Sequence, residues 1–263
     1  MSNTTTLASP YAERRRRAGE LASAWPFAAE VLGLYAAILP LQEAIHDAAL
    51  ESGPDSLGDV SGWLAECFVR PLLQASVAAG PEPLVAAAQA LLYGGDLEAP
   101  VSNWIAGAEQ PRFDRFFGRA VAGPVLEAVP SLLTRPVDVP RNRCPRCGGA
   151  PQVSWFESSG EALVAGGRRL LCSRCAFSWG YPRMTCAGCG ETTTSALLVL
   201  ADEERFPHLR VDACEVCRTY LLTVVLDRDA RAVPVVDELA AIPLDLYARE
   251  RGFQKVTPNL MNM

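Results

Sequence analysis

Histidine is scarce in this sequence. Its 263 residues include only His46 and His208, so little side-chain chemistry is available for acid–base catalysis near neutral pH. The sequence spells out no serine–histidine–aspartate arrangement and no glycine-rich phosphate-binding loop. These absences argue against a hydrolase or a transferase, and we expect a protein that is not an enzyme.

An excess of positive charge and long apolar runs are also absent. The formal net charge is -6, whereas a nucleic-acid-binding domain is usually basic. No stretch reaches the roughly 20 uninterrupted apolar residues that a membrane-spanning helix needs. Arginines at 14–17 precede an apolar segment, but Glu20 and Glu30 interrupt it, which is not typical of an export signal. We therefore expect a cytoplasmic protein with neither a nucleic-acid nor a membrane partner.

The first half of the chain is typical of a helical domain. Residues 1–20 are polar and charged and predict a mobile arm, whereas residues 21–138 are rich in alanine and leucine. Within 21–138, apolar residues recur at three- and four-residue steps, as in the core of a helical bundle. Cys67 lies on one of these apolar faces, so we expect it to be a buried small hydrophobic residue.

Cysteine, by contrast, is abundant, and eight of the nine cysteines lie beyond residue 138. They form four Cys-x-x-Cys pairs, namely Cys144/Cys147, Cys172/Cys175, Cys186/Cys189 and Cys214/Cys217. The third pair follows the first by 42 residues, and the fourth follows the second by the same 42 residues. This spacing indicates a tandem duplication of one four-cysteine unit.

These patterns predict an α+β multidomain protein. An all-helical N-terminal domain over 21–138 is followed by two tandem rubredoxin-like or zinc-ribbon-like small β units. The first unit covers residues 139–182, and the second covers 183–263 and carries a C-terminal extension.

Four thiolates from two Cys-x-x-Cys turns complete a tetrahedral site that suits zinc or iron. All eight cysteines are therefore predicted metal ligands. Gly148 and Gly190 follow the second cysteine of each leading pair, where a positive φ tightens the turn. Ala176 and Arg218 take that place in the trailing pairs, which leaves the geometry of those turns open.

Other arrangements of the cysteines remain open. The eight residues could form a disulfide framework, serve as redox dithiols, or be cross-braced, with the first and third pairs sharing one metal. A cytoplasmic location and a complete ligand set within each unit favour two separate metal sites. We expect His208 to be exposed or hydrogen-bonded rather than a fifth ligand.

The two units differ in charge. Five arginines lie near the cysteines of the first unit, namely Arg143, Arg146, Arg168, Arg169 and Arg174. We expect the first unit to present a basic face, which either solvates the surface or binds an acidic partner or an anion. Arginines and aromatic residues also interleave over 141–190, a pattern that single-strand binders use.

The cysteine motifs also resemble those of a known family. CPRCGG at 144–149, CSRC at 172–175, CAGCG at 186–190 and CEVC at 214–217 follow a helical half. Together they are similar to the motifs of the formate dehydrogenase accessory protein FdhE family. The ending LDLYARERGFQKVTPNL at 244–260 is similar to the C-terminal segment of that family.

This resemblance implies a cytoplasmic accessory protein that assists the maturation of a respiratory formate dehydrogenase through contact with its catalytic subunit. It also implies two metal ions in the four-cysteine sites, with iron favoured and zinc compatible. The residues themselves leave two other functions open: a rubredoxin-like electron-transfer protein and a nucleic-acid-binding zinc ribbon.

Overall fold

The computed structural model describes residues 10–158 and 166–263. Its first half contains seven α-helices within the described residues. They are α1 Pro10–Ala24, α2 Ala29–Ser52, α3 Val60–Cys67, α4 Val69–Ala79, α5 Glu82–Leu92, α6 Ala99–Ala106 and α7 Arg112–Ala128. The prediction of an all-helical N-terminal half is confirmed.

Helix α2 lies at the centre of this half and packs against α1, α4 and α7. Its Leu32, Ile38, Leu39 and Ile45 are almost completely buried, as the apolar stripes predict. Helix α2 and the turn before it form the segment Pro26–Ser52, which is long and apolar enough to cross a membrane by length and composition alone. In this structure it contributes the middle of the helical core.

The predicted N-terminal arm is wrong over residues 10–20, which form most of α1. The remaining residues of that prediction, 1–9, lie outside the described part of the chain. Tyr11 is 1% exposed, and the Nε atom of Arg17 donates to the carboxylate of Asp237 at 3.0 Å. The same guanidinium lies 2.8 Å from Asp229. The charged pattern therefore marks a helix in which Arg17 forms buried ion pairs, not a solvated arm.

The second half contains the strands. They are β1 Pro151–Phe156, β2 Arg168–Cys172, β3 Ser178–Tyr181, β4 Leu197–Leu200, β5 Leu209–Cys214, β6 Thr219–Val225 and β7 Gln254–Lys255. The predicted β units are confirmed, since β1 to β3 form one antiparallel set and β4 to β6 form another.

The two sets join into one sheet with the order β3-β2-β1-β6-β5-β4. The junction is a parallel pairing of β1 with β6, in which Val153 lies opposite Leu222 and Phe156 lies opposite Val225. The two units therefore follow one another head to tail across the sheet. This arrangement leaves β3 and β4 at its two edges.

The C-terminal extension returns to the helical half. Helix α8 (Pro234–Ala240) packs against α1 and α2, and α9 (Ile242–Glu250) packs against β5. Val236 and Leu239 belong to the helical core. The fully buried Glu238 lies 2.8 Å from the Nζ atom of Lys255. The predicted second unit at 183–263 thus supplies part of the core of the predicted helical domain at 21–138.

Candidate metal centres

The first four-cysteine cluster, which we call the inner site, is formed by Cys144, Cys147, Cys172 and Cys175. Its leading pair lies in the turn before β1, and Cys172 is the last residue of β2. The sulfur–sulfur distances are 3.4 Å for Cys147–Cys172, 3.5 Å for Cys147–Cys175 and 3.8 Å for Cys144–Cys175. Cys147 is partly buried and the other three are buried.

The second cluster, the outer site, is formed by Cys186, Cys189, Cys214 and Cys217. Cys214 is the last residue of β5, so it occupies the same place as Cys172 does in the first unit. The sulfur–sulfur distances are 3.7 Å for Cys186–Cys217 and 3.9 Å for Cys189–Cys214. Cys189 is exposed and Cys217 is partly buried.

Both clusters fit a tetrahedral metal ion. An ion with metal–sulfur bonds of about 2.3 Å holds its sulfurs about 3.8 Å apart, close to the distances in both sites. A disulfide needs about 2.05 Å, and all nine cysteines are free, so the disulfide interpretation is wrong. Each cluster combines the two pairs of one unit, so cross-bracing is wrong too. That the eight cysteines bind metal stays a prediction.

All four Cys-x-x-Cys turns contain a left-handed residue directly after the second cysteine. The φ angles are 72° at Gly148 and 84° at Gly190, but also 51° at Ala176 and 56° at Arg218. The trailing turns therefore keep the geometry of the leading ones without glycine. For a residue with a Cβ atom, this conformation costs roughly 1–2 kcal/mol.

Backbone N–H groups point at the sulfurs inside these turns. The amides of Arg146, Arg174 and Gly188 donate to the first sulfur of their own turn at 3.4, 3.4 and 3.3 Å, respectively. Hydrogen bonds of this kind favour the thiolate over the thiol. They prepare the sulfurs for a cation, since only the deprotonated form binds metal.

The thiols of the outer site differ in acidity. Burial raises the pKa of Cys186 to about 12. Burial also opposes ionisation of Cys217, but hydrogen bonds from the side chain and backbone of Thr219 lower its pKa to about 7. The Oγ1 atom of Thr219 lies 3.0 Å from the sulfur of Cys217. The sequence signal for this contact is the hydroxyl residue two places after the last cysteine, where the first unit has Phe177.

Two of the five arginines in the predicted basic face of the first unit turn inward instead. Arg168 is 4% exposed, and its Nη2 atom lies 3.1 Å from the Oδ2 atom of Asp212 in the second unit. Arg174 turns toward the helices and donates to the carbonyl of Ile105 at 2.6 Å. Since a buried charge needs a partner, these side chains link the units and domains, whereas Arg143 stays exposed.

The predictions for His208 and Cys67 have different outcomes. His208 is 5% exposed, and its Nε2 atom lies 2.8 Å from Asp237, so the prediction of a hydrogen-bonded residue is confirmed. Cys67 is exposed, and the prediction of a buried residue is wrong. Helix α3 ends at Cys67 and the next helix begins at Val69, so the apolar periodicity does not continue as one helical face.

The C-terminal part of the chain matches a described protein family. Residues 184–262 match the family described as "FdhE, C-terminal domain". These residues contain the outer site, α8, α9 and β7.

Relatives named as FdhE homologs are also similar to this chain. A protein FdhE homolog of Aquifex aeolicus is 35% identical over 121 residues, which are 46% of this chain and 42% of the relative. A protein FdhE homolog of Pseudomonas aeruginosa is 28% identical over 99% of this chain and 78% of the relative. The chain thus spans less than half of the first relative and about three quarters of the second.

A solved structure matches as well. The crystal structure of the FdhE protein from Pseudomonas aeruginosa superposes with a TM-score of 0.69 at 25% sequence identity, covering 96% of this chain and 95% of that one. The similarity therefore includes both the helical half and the β half.

Proposed function

We propose that the chain is a member of the FdhE family, from its match to the C-terminal domain and its similarity to FdhE proteins, and that it is a metal-binding accessory protein for the maturation of a respiratory formate dehydrogenase. It acts through contact with the catalytic subunit of that enzyme, in the cytoplasm. The observation that carries this proposal is the pair of four-sulfur clusters on a sheet joined to a helical half.

The chemistry of the clusters supports a binding protein rather than an enzyme. A catalytic zinc site keeps one coordination position open for water or substrate. Cys144, Cys147, Cys172 and Cys175 would fill all four positions of the inner site, as their counterparts would in the outer site. Such ions stabilise a fold or exchange single electrons, and they do not activate water.

The resemblance favours iron in both sites, and the four-thiolate geometry also suits zinc. Iron with four thiolates changes between the ferrous and ferric states, and hydrogen bonds to sulfur tune its potential. The exposed Cys189 of the outer site favours electron transfer as the second candidate function. Purification without oxygen, followed by metal analysis and an absorption spectrum, separates the two: a colourless protein containing only zinc contradicts electron transfer.

Burial of the aromatic residues argues against the nucleic-acid interpretation. Phe156, Trp179 and Tyr181 are 3%, 8% and 6% exposed, so their rings are not free to stack on bases. Trp179 donates from Nε1 to the carbonyl of Arg141 at 3.0 Å. These aromatic residues are core residues of the first unit.

Exposed apolar side chains near the outer site support a protein partner there. Val216 lies between the two cysteines of the last turn and is 61% exposed. Met184 and Val199 are 56% and 57% exposed; Met184 precedes Cys186 by two residues, and Val199 lies on the edge strand β4. Apolar side chains grouped on a surface are typical of interaction sites.

The proposal is tested by recovering the catalytic subunit of a respiratory formate dehydrogenase with the tagged chain, both in air and without oxygen. We expect Val216→Asp to weaken recovery about tenfold or more, because a charge there is desolvated by the partner. Leu50→Asp is the matched control, since Leu50 is also 61% exposed but lies in the last turn of α2 in the helical half. Failure to recover the subunit under either condition contradicts the proposed function.

A further inference from the structure

A cavity beside the inner site is lined by none of the eight paired cysteines. It has a volume of about 220 Å³ and lies between α6, α7, the second turn of the inner site and the C-terminal segment after β7. Three arginines, Arg115, Arg119 and Arg174, line it. No aspartate or glutamate is among the described residues that line it. We call it the arginine pocket.

Other enclosed arginines of this protein lie against carboxylates. Arg14 lies 2.6 Å from Glu127, and Arg17 and Arg168 pair with aspartates. Among the described residues, no carboxylate forms an ion pair with any of the three arginines of the pocket. The protein thus supplies carboxylate partners to its other enclosed arginines, whereas the three partly buried arginines of this pocket have no such direct partner there.

The contacts that these arginines do make are with neutral acceptors. Arg119 donates from Nη1 to the carbonyl of Pro258 at 2.7 Å and from Nη2 to the side chain of Gln152. Arg174 donates to the carbonyl of Ile105. Burial lowers the pKa of Arg119 to about 10, although the negative charge of Glu238, to which the side chain of Gln152 donates, opposes this shift. The contacts fix the guanidinium groups in place without neutralising them.

Three polar atoms of the same pocket have no hydrogen-bond partner among the described residues. Asn259 is 1% exposed, and its Nδ2 atom has no hydrogen-bond acceptor among the described residues. The same holds for the Oγ1 atom of Thr257 and for the Nε atom of Arg174. Unpaired donors in the interior are rare and call for a bound group that accepts their hydrogen bonds.

We propose that the arginine pocket is a binding site for a phosphate group, either free or on a small organic molecule. A phosphate dianion offers several acceptor oxygens, which suits three guanidinium groups and the amide and hydroxyl groups beside them. The volume leaves room for a small organic remainder. This inference is independent of the proposed accessory function.

The alternative is that the three arginines only compensate the negative charge of a metal–thiolate cluster. Cys172 does attract Arg119 electrostatically. Under this alternative, the loss of an arginine weakens metal binding, and the protein has no specific affinity for phosphate. The two explanations therefore differ in what a single substitution changes.

The test is calorimetric titration of the metal-loaded full chain with inorganic phosphate and with glycerol phosphate at constant ionic strength, with acetate as the carboxylate comparison. We expect phosphate to bind saturably. In Arg115→Gln we expect the dissociation constant to be about tenfold or more higher, because the variant loses one charge-assisted hydrogen-bonding partner. Arg70→Gln is the matched control, because Arg70 is exposed on α4 and the change in net charge is the same. Asn259→Asp, which places a negative charge in the pocket, is expected to weaken binding further.

Metal content is measured on every variant. Phosphate binding that is lost in Arg115→Gln with unchanged metal supports the proposal, and the two phosphate ligands then show whether the site prefers the free ion or the ester. Absence of phosphate binding in the parent protein overturns it. Equal weakening in Arg70→Gln and Arg115→Gln overturns it as well, since it indicates unspecific attraction.

Discussion

The inner and outer sites have the same cysteine spacing and the same turn geometry, yet they lie in different surroundings. Cys144, Cys172 and Cys175 of the inner site belong to a core cluster that includes Leu126 of helix α7 and Leu170 of β2. The outer site has one exposed cysteine and three exposed apolar residues near it. The inner site is therefore part of the contact between helices and sheet, whereas the outer site faces solvent.

The difference follows from how the two copies are placed. In the head-to-tail sheet, β1 of the first unit is covered by β6, but β4 of the second unit remains an edge strand. Val199 of β4 corresponds to Ser154 of β1 in the duplicated unit. Ser154 lies opposite Leu170 and Val199 lies opposite Asp212, and these two partners are one repeat of 42 residues apart. Ser154 is fully buried and Val199 is 57% exposed. One duplicated sequence pattern thus gave two sites of different accessibility.

The largest expected effect concerns the loss of one ligand from each site. Cys147→Ser and Cys189→Ser change corresponding residues, and each variant is expected to lose one of two metal ions. Because the inner site packs against the helices, we expect Cys147→Ser to lower the midpoint of thermal unfolding by roughly 10 °C, and Cys189→Ser by roughly 3 °C. Metal analysis and calorimetry measure both quantities. Equal losses of stability would remove the distinction between the sites.

A smaller effect is expected in the rate of metal loss. A chelator reaches the exposed Cys189 side of the outer site more easily than the enclosed sulfurs of the inner site. We expect the first metal equivalent to leave about tenfold or more faster than the second, since release from the inner site requires local opening of the structure. In Cys189→Ser, which keeps only the inner site, the fast phase should disappear. A single phase of two equivalents in the parent protein contradicts this expectation.

The smallest effect concerns Ala176 and Arg218, the two left-handed residues of the cysteine turns that are not glycine. Ala176→Gly removes the strain of a positive φ at the inner site and is expected to stabilise the protein by about 1 kcal/mol. Arg218→Gly relieves the same strain at the outer site. It also removes the contact of the guanidinium with the ring of Phe253, 4.0 Å away, and its hydrogen bond of 2.6 Å to the carbonyl of Arg251. We therefore expect little net gain there.

The free energy of unfolding of the metal-loaded variants, measured by chemical denaturation, tests this comparison. Ala176→Ser is the control for the inner site, because it keeps a Cβ atom and the strain. If Ala176→Gly is no more stable than Ala176→Ser, the left-handed conformation has no measurable cost in this turn.

Local patterns were sufficient for several features of the molecule. The cysteine spacing predicted which sulfurs meet, because each turn is closed by residues that are close in sequence. The apolar stripes predicted the helical half, since buried positions recur with the period of the helix. The 42-residue repeat predicted two copies of one β unit.

Other features depend on partners that are distant in sequence. Arg17 is buried because it forms an ion pair with Asp237, which lies 220 residues further along the chain. Arg168 pairs with Asp212 only because the two units share one sheet. Cys67 is exposed because two helices meet at a bend there. No local pattern contains this information.

The sequence by itself determined the make-up of the two centres: eight cysteine sulfurs, grouped four by four, in tight turns. Only the tertiary structure decided that one centre is enclosed and the other exposed, and that three arginines line one cavity without an ion pair among the described residues. The physical reason is that coordination geometry is set within a few residues, whereas burial and charge pairing are set by which distant segments pack together.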